Sequence, residues 1–286
     1  KRFLEFVSRF RHQNLDRAMK IEMLKTAKDC SLLPDIDPDE LVQTIHKVVR
    51  ILTDDARRFK QDLEVNLKHD ITGHTRDSVL AELENIAREL DHRYVPAKQN
   101  RGARFLNARD GSVEYRAFEV FLTRAAYFTM TRFLIARMWE DVGFLEQRLY
   151  DGGFATWYKT LGQRIQEVLK HAFLYAGEKY SWLYGQQHNY FWYDPPSENA
   201  IVDVLYEFAH YDLGRLDSDV LGTVYEQFVD RIDRKNKGQY YTPREIISLI
   251  WDRVGFTNEE GFFRFEEGQR IPRTVLDVAT GSGGFL

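Results

Sequence analysis

The sequence predicts a mostly α fold: a helical domain over residues 1–234, then over 235–286 the first elements of a doubly wound α/β domain. Three observations predict it. Apolar residues recur at helical spacing through most of the chain ahead of Gly238. After Gly238 a proline-initiated helix, "PREIISLIWDRV", is followed by the short β-prone run "RTVLDVA". A glycine turn, "TGSGGF", comes directly after that run.

The helices can be placed in order. In "DIDPDELVQTIHKVVRIL", Asp37 suits the N-cap and Pro38 the first helical position, and Asp39 and Glu40 favour the positive end of the macrodipole. Leu41, Ile45, Val48, Val49 and Leu52 then share a face. Thr75 is the expected cap of a second helix with the stripe Val79, Leu80, Leu83, Ile86 and Leu90. The Pro-, Gly-, Asn- and Arg-rich "VPAKQNRGARFLNARDGS" reads as a loop. A long helix is expected from near Glu114 to near Glu140, with Phe118, Phe121, Leu122, Ala125 and Phe128 inward. Further helices are expected near 160–178, 199–210 and 218–233. After the boundary near 235, Pro243 opens a helix with Ile246, Ile247, Ile250 and Val254 as its apolar positions. There is no internal repeat.

Composition narrows the function. The chain has 286 residues, 43% of them hydrophobic, enough for a sizeable core. Its net charge is −4, so phosphate contacts must come from local basic groups. One cysteine, Cys30, excludes a disulfide framework or a multi-cysteine zinc site and fits a reducing, cytoplasmic setting. The histidines lack metal-ligand spacing. The most apolar stretch, Ala117–Met138, carries Glu119, Arg124, Arg132 and Arg137, so no membrane partner is expected. The chain opens on Lys1 rather than Met and closes at Leu286 directly after the glycine run, and it reads as a piece of a longer protein.

A strand that ends in Asp277 and turns through Gly281, Gly283 and Gly284 can let a ligand approach the backbone, and the helix after such a turn offers free N–H groups. The spacing does not suit a nicotinamide dinucleotide, whose acid follows the glycines by about 20 residues. Here Asp277 stands four residues ahead of Gly281. An acid at that place suits the ammonium group of S-adenosylmethionine better than a diphosphate. Taken alone, the run could also be a plain tight turn after a strand.

Together, "GQYYTP" (Gly238–Pro243) and "DVATGSGGF" (Asp277–Phe285) resemble the adenine-N6 DNA methyltransferases, in particular type I modification subunits and fused type IIG enzymes. Asp219–Val229 is similar to the helix that leads into this region in that family. Val278 and Thr280 stand where the family has proline and cysteine. The resemblance is strong over residues 200–286 and rests on helical layout elsewhere. It implies methyl transfer from S-adenosylmethionine to adenine N6 of a flipped base, in a restriction–modification or phage-defence system. It implies cofactor contacts from Tyr241, Thr242, Pro243, Asp277, Ala279, Gly281, Ser282 and Gly283. The implied partners are double-stranded DNA and specificity or nuclease subunits, or a fused nuclease domain. The family's catalytic Asn/Asp-Pro-Pro-aromatic motif is expected downstream of Leu286, so no catalytic residue is assigned and this chain alone is expected to be inactive. The alternatives are a cytosine-N4, RNA or protein methyltransferase of the same cofactor fold, or a non-catalytic helical spacer.

One similar motif lies ahead of the glycine run. "WYDPPSEN" contains Asp194-Pro195-Pro196, but Ser197 stands where a stacking aromatic belongs, and a loop before the next helix is the better account. Two basic groups could touch phosphate: Arg231, Arg234, Lys235 and Lys237, and a second group of Lys98, Arg101, Arg104 and Arg109, for which a solvated surface is favoured. Trp182, Tyr184, Tyr190, Phe191 and Trp192 are expected in the core.

Overall fold

The computed structural model describes residues 16–26, 36–58, 73–185, 190–216, 242, 244–256, 261, 263–266 and 269–273. The chain divides into two compact units, 1–215 and 216–286. The expected boundary near 235 and the expected helix at 218–233 lie outside the described residues.

In the first unit, residues 16–25 form α1. They are followed by α2 (Pro38–Arg58), α3 (Gly73–Leu90), α4 (Arg101–Leu106), α5 (Val113–Asp141), α6 (Asp151–Thr160), α7 (Ile165–Lys179), the single turn α8 (Ser181–Tyr184) and α9 (Glu198–Phe208). The long α5 is the axis of this unit: α2, α3, α4, α7 and α9 all pack on it. Ser112 caps it, its hydroxyl accepting from Tyr115 N at 3.1 Å. Phe118, Phe121, Leu122, Ala125, Phe133 and Ala136 are buried along its length, and Phe128 is half-buried against Tyr190. Ion pairs reinforce the packing: Arg57 of α2 reaches Glu119 at 2.7 Å, and Arg124 reaches Glu89 of α3 at 2.8 Å.

α2 follows its sequence signals. Asp37 Oδ1 accepts from Asp39 N at 2.8 Å, and Leu41, Ile45, Val48, Val49 and Leu52 are buried. Other expectations need correction. α3 begins at Gly73, so Thr75 lies inside the helix rather than capping it. Its stripe is buried from Val79 to Ile86, while Leu90 is half-buried. The loop expected over 95–112 contains α4, because Phe105 and Leu106 bury their side chains and Arg101 is fixed by Glu84. The helix expected near 160–178 is α7, which begins at Ile165; the expectation missed α6 ahead of it, which Gly162 and Gln163 stop with positive φ values of 68° and 61°. Trp182 is 74% exposed rather than packed, whereas Tyr184 is buried.

Two buried carboxylates organise the unit. Asp55 of α2 accepts from Tyr193 OH at 2.9 Å, from Ser197 N at 2.9 Å, and from the Ser197 hydroxyl. Ser197 in turn caps α9. Glu140, in the last turn of α5, is 3% exposed and accepts from Leu149 N at 3.1 and 3.3 Å. Arg137 lies 4.0 Å from it but is committed to Asp141 at 3.0 and 3.2 Å. Desolvation outweighs that pull and pushes the Glu140 carboxyl up to about 7.

Asp55→Ala leaves a buried phenol and a backbone N–H without an acceptor, and is expected to cost about 2–4 kcal/mol in urea unfolding. For Glu140 the folded pKa lies above the unfolded value, so its contribution is fully present at low pH and is lost as pH rises toward 7. Glu140→Gln should therefore gain on the native protein by about 3 kcal/mol between about pH 4 and about pH 8. Parallel urea curves at the two pH values check the sign.

Candidate functional site

Past Leu216, the second unit's described part resumes at Thr242, an exposed residue just ahead of α10 (Arg244–Arg253). The first turn of a helix has backbone N–H groups without intrahelical partners, and α10 opens directly after Thr242-Pro243. Its other end is closed by a Schellman motif. Gly255 has φ 90°, Gly255 N donates to Asp252 O at 3.2 Å, and Phe256 N donates to Trp251 O at 2.9 Å. The rings of Phe256 and Trp251 meet edge-on at 5.1 Å, the hydrophobic contact that accompanies this motif. Of the expected apolar positions on α10, Ile247 is buried, while Ile246, Ile250 and Val254 are 40–57% exposed.

Beyond α10 runs an antiparallel hairpin, β1 (Phe263–Glu266) paired with β2 (Gln269–Pro272), with Glu266 opposite Gln269. Arg270 stacks its guanidinium 3.7 Å from the Phe263 ring, and Arg273 Nε donates to Phe263 O at 3.2 Å. Sequence reasoning misses this hairpin, whose signal is the alternating "FRFE" followed by Glu267-Gly268.

Of the eight expected cofactor residues, Thr242 alone is described. Tyr241, Pro243, Asp277, Ala279, Gly281, Ser282 and Gly283 lie outside the described residues, as do all but Arg273 of the expected strand over 273–279 and the basic group Arg231, Arg234, Lys235 and Lys237.

The first unit settles what Asp194 touches. It lies in the loop ahead of α9 and accepts from Arg132 Nη1 at 2.8 Å. The Arg132 side chain is 3% exposed, with its guanidinium 4.3 Å from the Phe173 ring and 5.5 Å from that of Tyr184. Tyr184 OH donates to Arg132 O at 2.7 Å. In the second basic group, Arg101 grips Glu84 at 2.6 and 2.7 Å and Arg104 pairs with Glu114 at 2.9 Å.

Residues 216–286 match the family model described as N-6 DNA Methylase. That stretch is similar to the N-6 DNA methylases. The Type I restriction enzyme HindI methylase subunit of Haemophilus influenzae is 37% identical to this chain over 71 residues, which is 24% of this chain and 13% of that relative. No solved structure matches significantly. Among the described residues no helix is long and apolar enough to cross a membrane. The matched segment thus holds α10, the hairpin and the Tyr-Thr-Pro and Asp-to-glycine motifs, and it coincides with the second compact unit.

Asp194→Ala removes the counter-ion of a nearly inaccessible arginine. It is expected to lower stability by about 2–4 kcal/mol, and Asp194→Asn by less, because the amide oxygen can still accept. Urea unfolding of the two variants checks the order.

Proposed function

We propose that the protein takes part in site-specific methylation of adenine N6 in DNA, within a restriction–modification or phage-defence system. The observation that carries this reading is the N-6 DNA methylase match over 216–286, which falls on the residues where Tyr-Thr-Pro and Asp-to-glycine spacing stand together. On this reading residues 1–234 are a helical domain, and 235–286 open a doubly wound cofactor domain. The substrate is double-stranded DNA, with specificity or nuclease components as partners.

The donor set fits S-adenosylmethionine. Asp277 offers a carboxylate for its ammonium group. The Thr242 hydroxyl and the first-turn N–H groups of α10 offer donors for its carboxylate. Gly281 and Gly283 leave room for backbone to approach, and Tyr241, Pro243, Ala279 and Ser282 complete the lining. When bound, the group supplies the methyl. The chain's own share is to hold that group in line with the amino nitrogen of an extruded base, so that orientation lowers the barrier. Arg231, Arg234, Lys235 and Lys237, just ahead of the Tyr-Thr-Pro motif, are assigned to DNA phosphates.

Calorimetric titration of the intact protein with S-adenosylmethionine tests the reading. Asp277→Ala and Gly281→Val are each expected to weaken binding tenfold or more, about 1.4 kcal/mol. Unchanged affinity in both folded variants would remove the assignment. Mass spectrometry of nucleosides from treated DNA separates N6-methyladenine from N4-methylcytosine.

A further inference from the structure

We propose that the arginine-rich segment running from Arg93 through α4 into the first turn of α5 is a docking surface for the backbone of duplex DNA. The choice of DNA as the polyanion rests on the methyltransferase reading above. The surface itself rests on charge and geometry in the first unit.

Residues 93–116 hold six Lys/Arg against two Asp/Glu, in a chain whose net charge is −4. Only part of that surplus is neutralised within the fold. Arg101 is taken by Glu84, whose side chain is 5% exposed, and Arg104 by Glu114. Arg93, Lys98, Arg109 and Arg116 are exposed, and none has a carboxylate partner among the described residues. Elsewhere in this unit, many exposed or half-exposed cations are paired, among them Lys20, Lys47, Arg57 and Arg124.

One of these unpaired cations, Arg109, lies in a cavity lined by hydrogen-bonding groups. Asn100, Arg104, Asn107, Arg109, Ser112 and Glu114 line one open cavity of about 490 Å³. Arg116 follows Ser112 by one helical turn, its N–H donating to Ser112 O at 3.1 Å, so it stands on the same side of α5. Asn100 and Asn107 flank α4, and neither side chain is used in a hydrogen bond among the described residues. Forked guanidinium and amide donors on a shallow surface suit the non-bridging oxygens of phosphates. No aromatic ring lines the cavity, so the surface has nothing on which a base could stack. It therefore positions the duplex without sequence preference. Two carboxylates belong to the segment. Glu114 is neutralised by Arg104, and Asp110, beside Arg109, opposes binding.

The test is fluorescence anisotropy of labelled duplexes of two unrelated sequences with the intact protein, across a salt series. Arg109→Ala with Arg116→Ala is expected to weaken binding to both duplexes equally. The pair should also flatten the slope of log K against log salt by about 1.8, at about 0.9 for each phosphate no longer neutralised. Asp110→Asn should tighten binding. A control pair at the end of α6 and the start of α7, Lys159→Ala with Arg164→Ala, should leave the slope unchanged; both residues are exposed. An unchanged slope in the arginine pair, or an equal change in the control pair, would overturn the surface. Cofactor titration of the same variants keeps the two ideas apart. Intact cofactor binding with an unchanged slope rejects this surface and leaves the methyltransferase reading standing. A flattened slope in a protein that binds no cofactor does the reverse.

Discussion

A helix packed by several other helices along its length has little solvent face on which to leave its polar residues. That constraint governs α5, and the rest of the first unit is arranged around it. Arg132, Arg137 and Glu140 are all buried on this helix. Each would be costly alone, and each is met by a group brought from elsewhere or from the next turn. Asp194 and two aromatic rings take Arg132. Asp141 and the Tyr150 ring, 3.4 Å from the guanidinium, take Arg137. Leu149 N meets Glu140. The loops after α5 and before α9 are held where these groups need them, so polar satisfaction as well as apolar area defines the shape.

Much of the helical layout was legible because it depends on local chemistry. Asp37 and Pro38 mark the start of α2 through interactions within one turn, and the period of Leu41, Ile45 and Val48 reports the face that meets α5. What could not be read depends on distant partners. α4 sits in a stretch with loop composition, and its order comes from Glu84, a residue of another helix. The break between α6 and α7 turns on φ values at Gly162 and Gln163, and glutamine gives no warning of a left-handed conformation. The Asp-Pro-Pro of the loop before α9 has the composition of a catalytic motif. Only its neighbours show that Asp194 answers to Arg132.

The candidate site divides in the same way. Its chemistry is written as short-range spacing: a threonine and proline ahead of a helix, and an aspartate four residues ahead of a glycine. Such patterns are visible in sequence because close backbone approach and a helix N-terminus each restrict residue type locally. The match over 216–286 covers the same residues. The basic surface on the helical unit was only half legible. Lys98 and Arg109 were visible as charge, but which arginines are already neutralised depends on Glu84 and Glu114, and Arg93 and Arg116 enter only once α4 and α5 are folded.

The Asp55 clamp has a consequence for how the chain is made. Its acceptors are filled from residues 138 and 142 positions further along. At a synthesis rate of about 5–20 residues per second, the carboxylate emerges from the ribosome about 7–28 s before Tyr193 and Ser197 follow it. During that interval α2 carries an unmatched acid on the side that later becomes interior, where water still solvates it. The native environment of the second half of α2 is therefore complete only once the residues just ahead of α9 have been made.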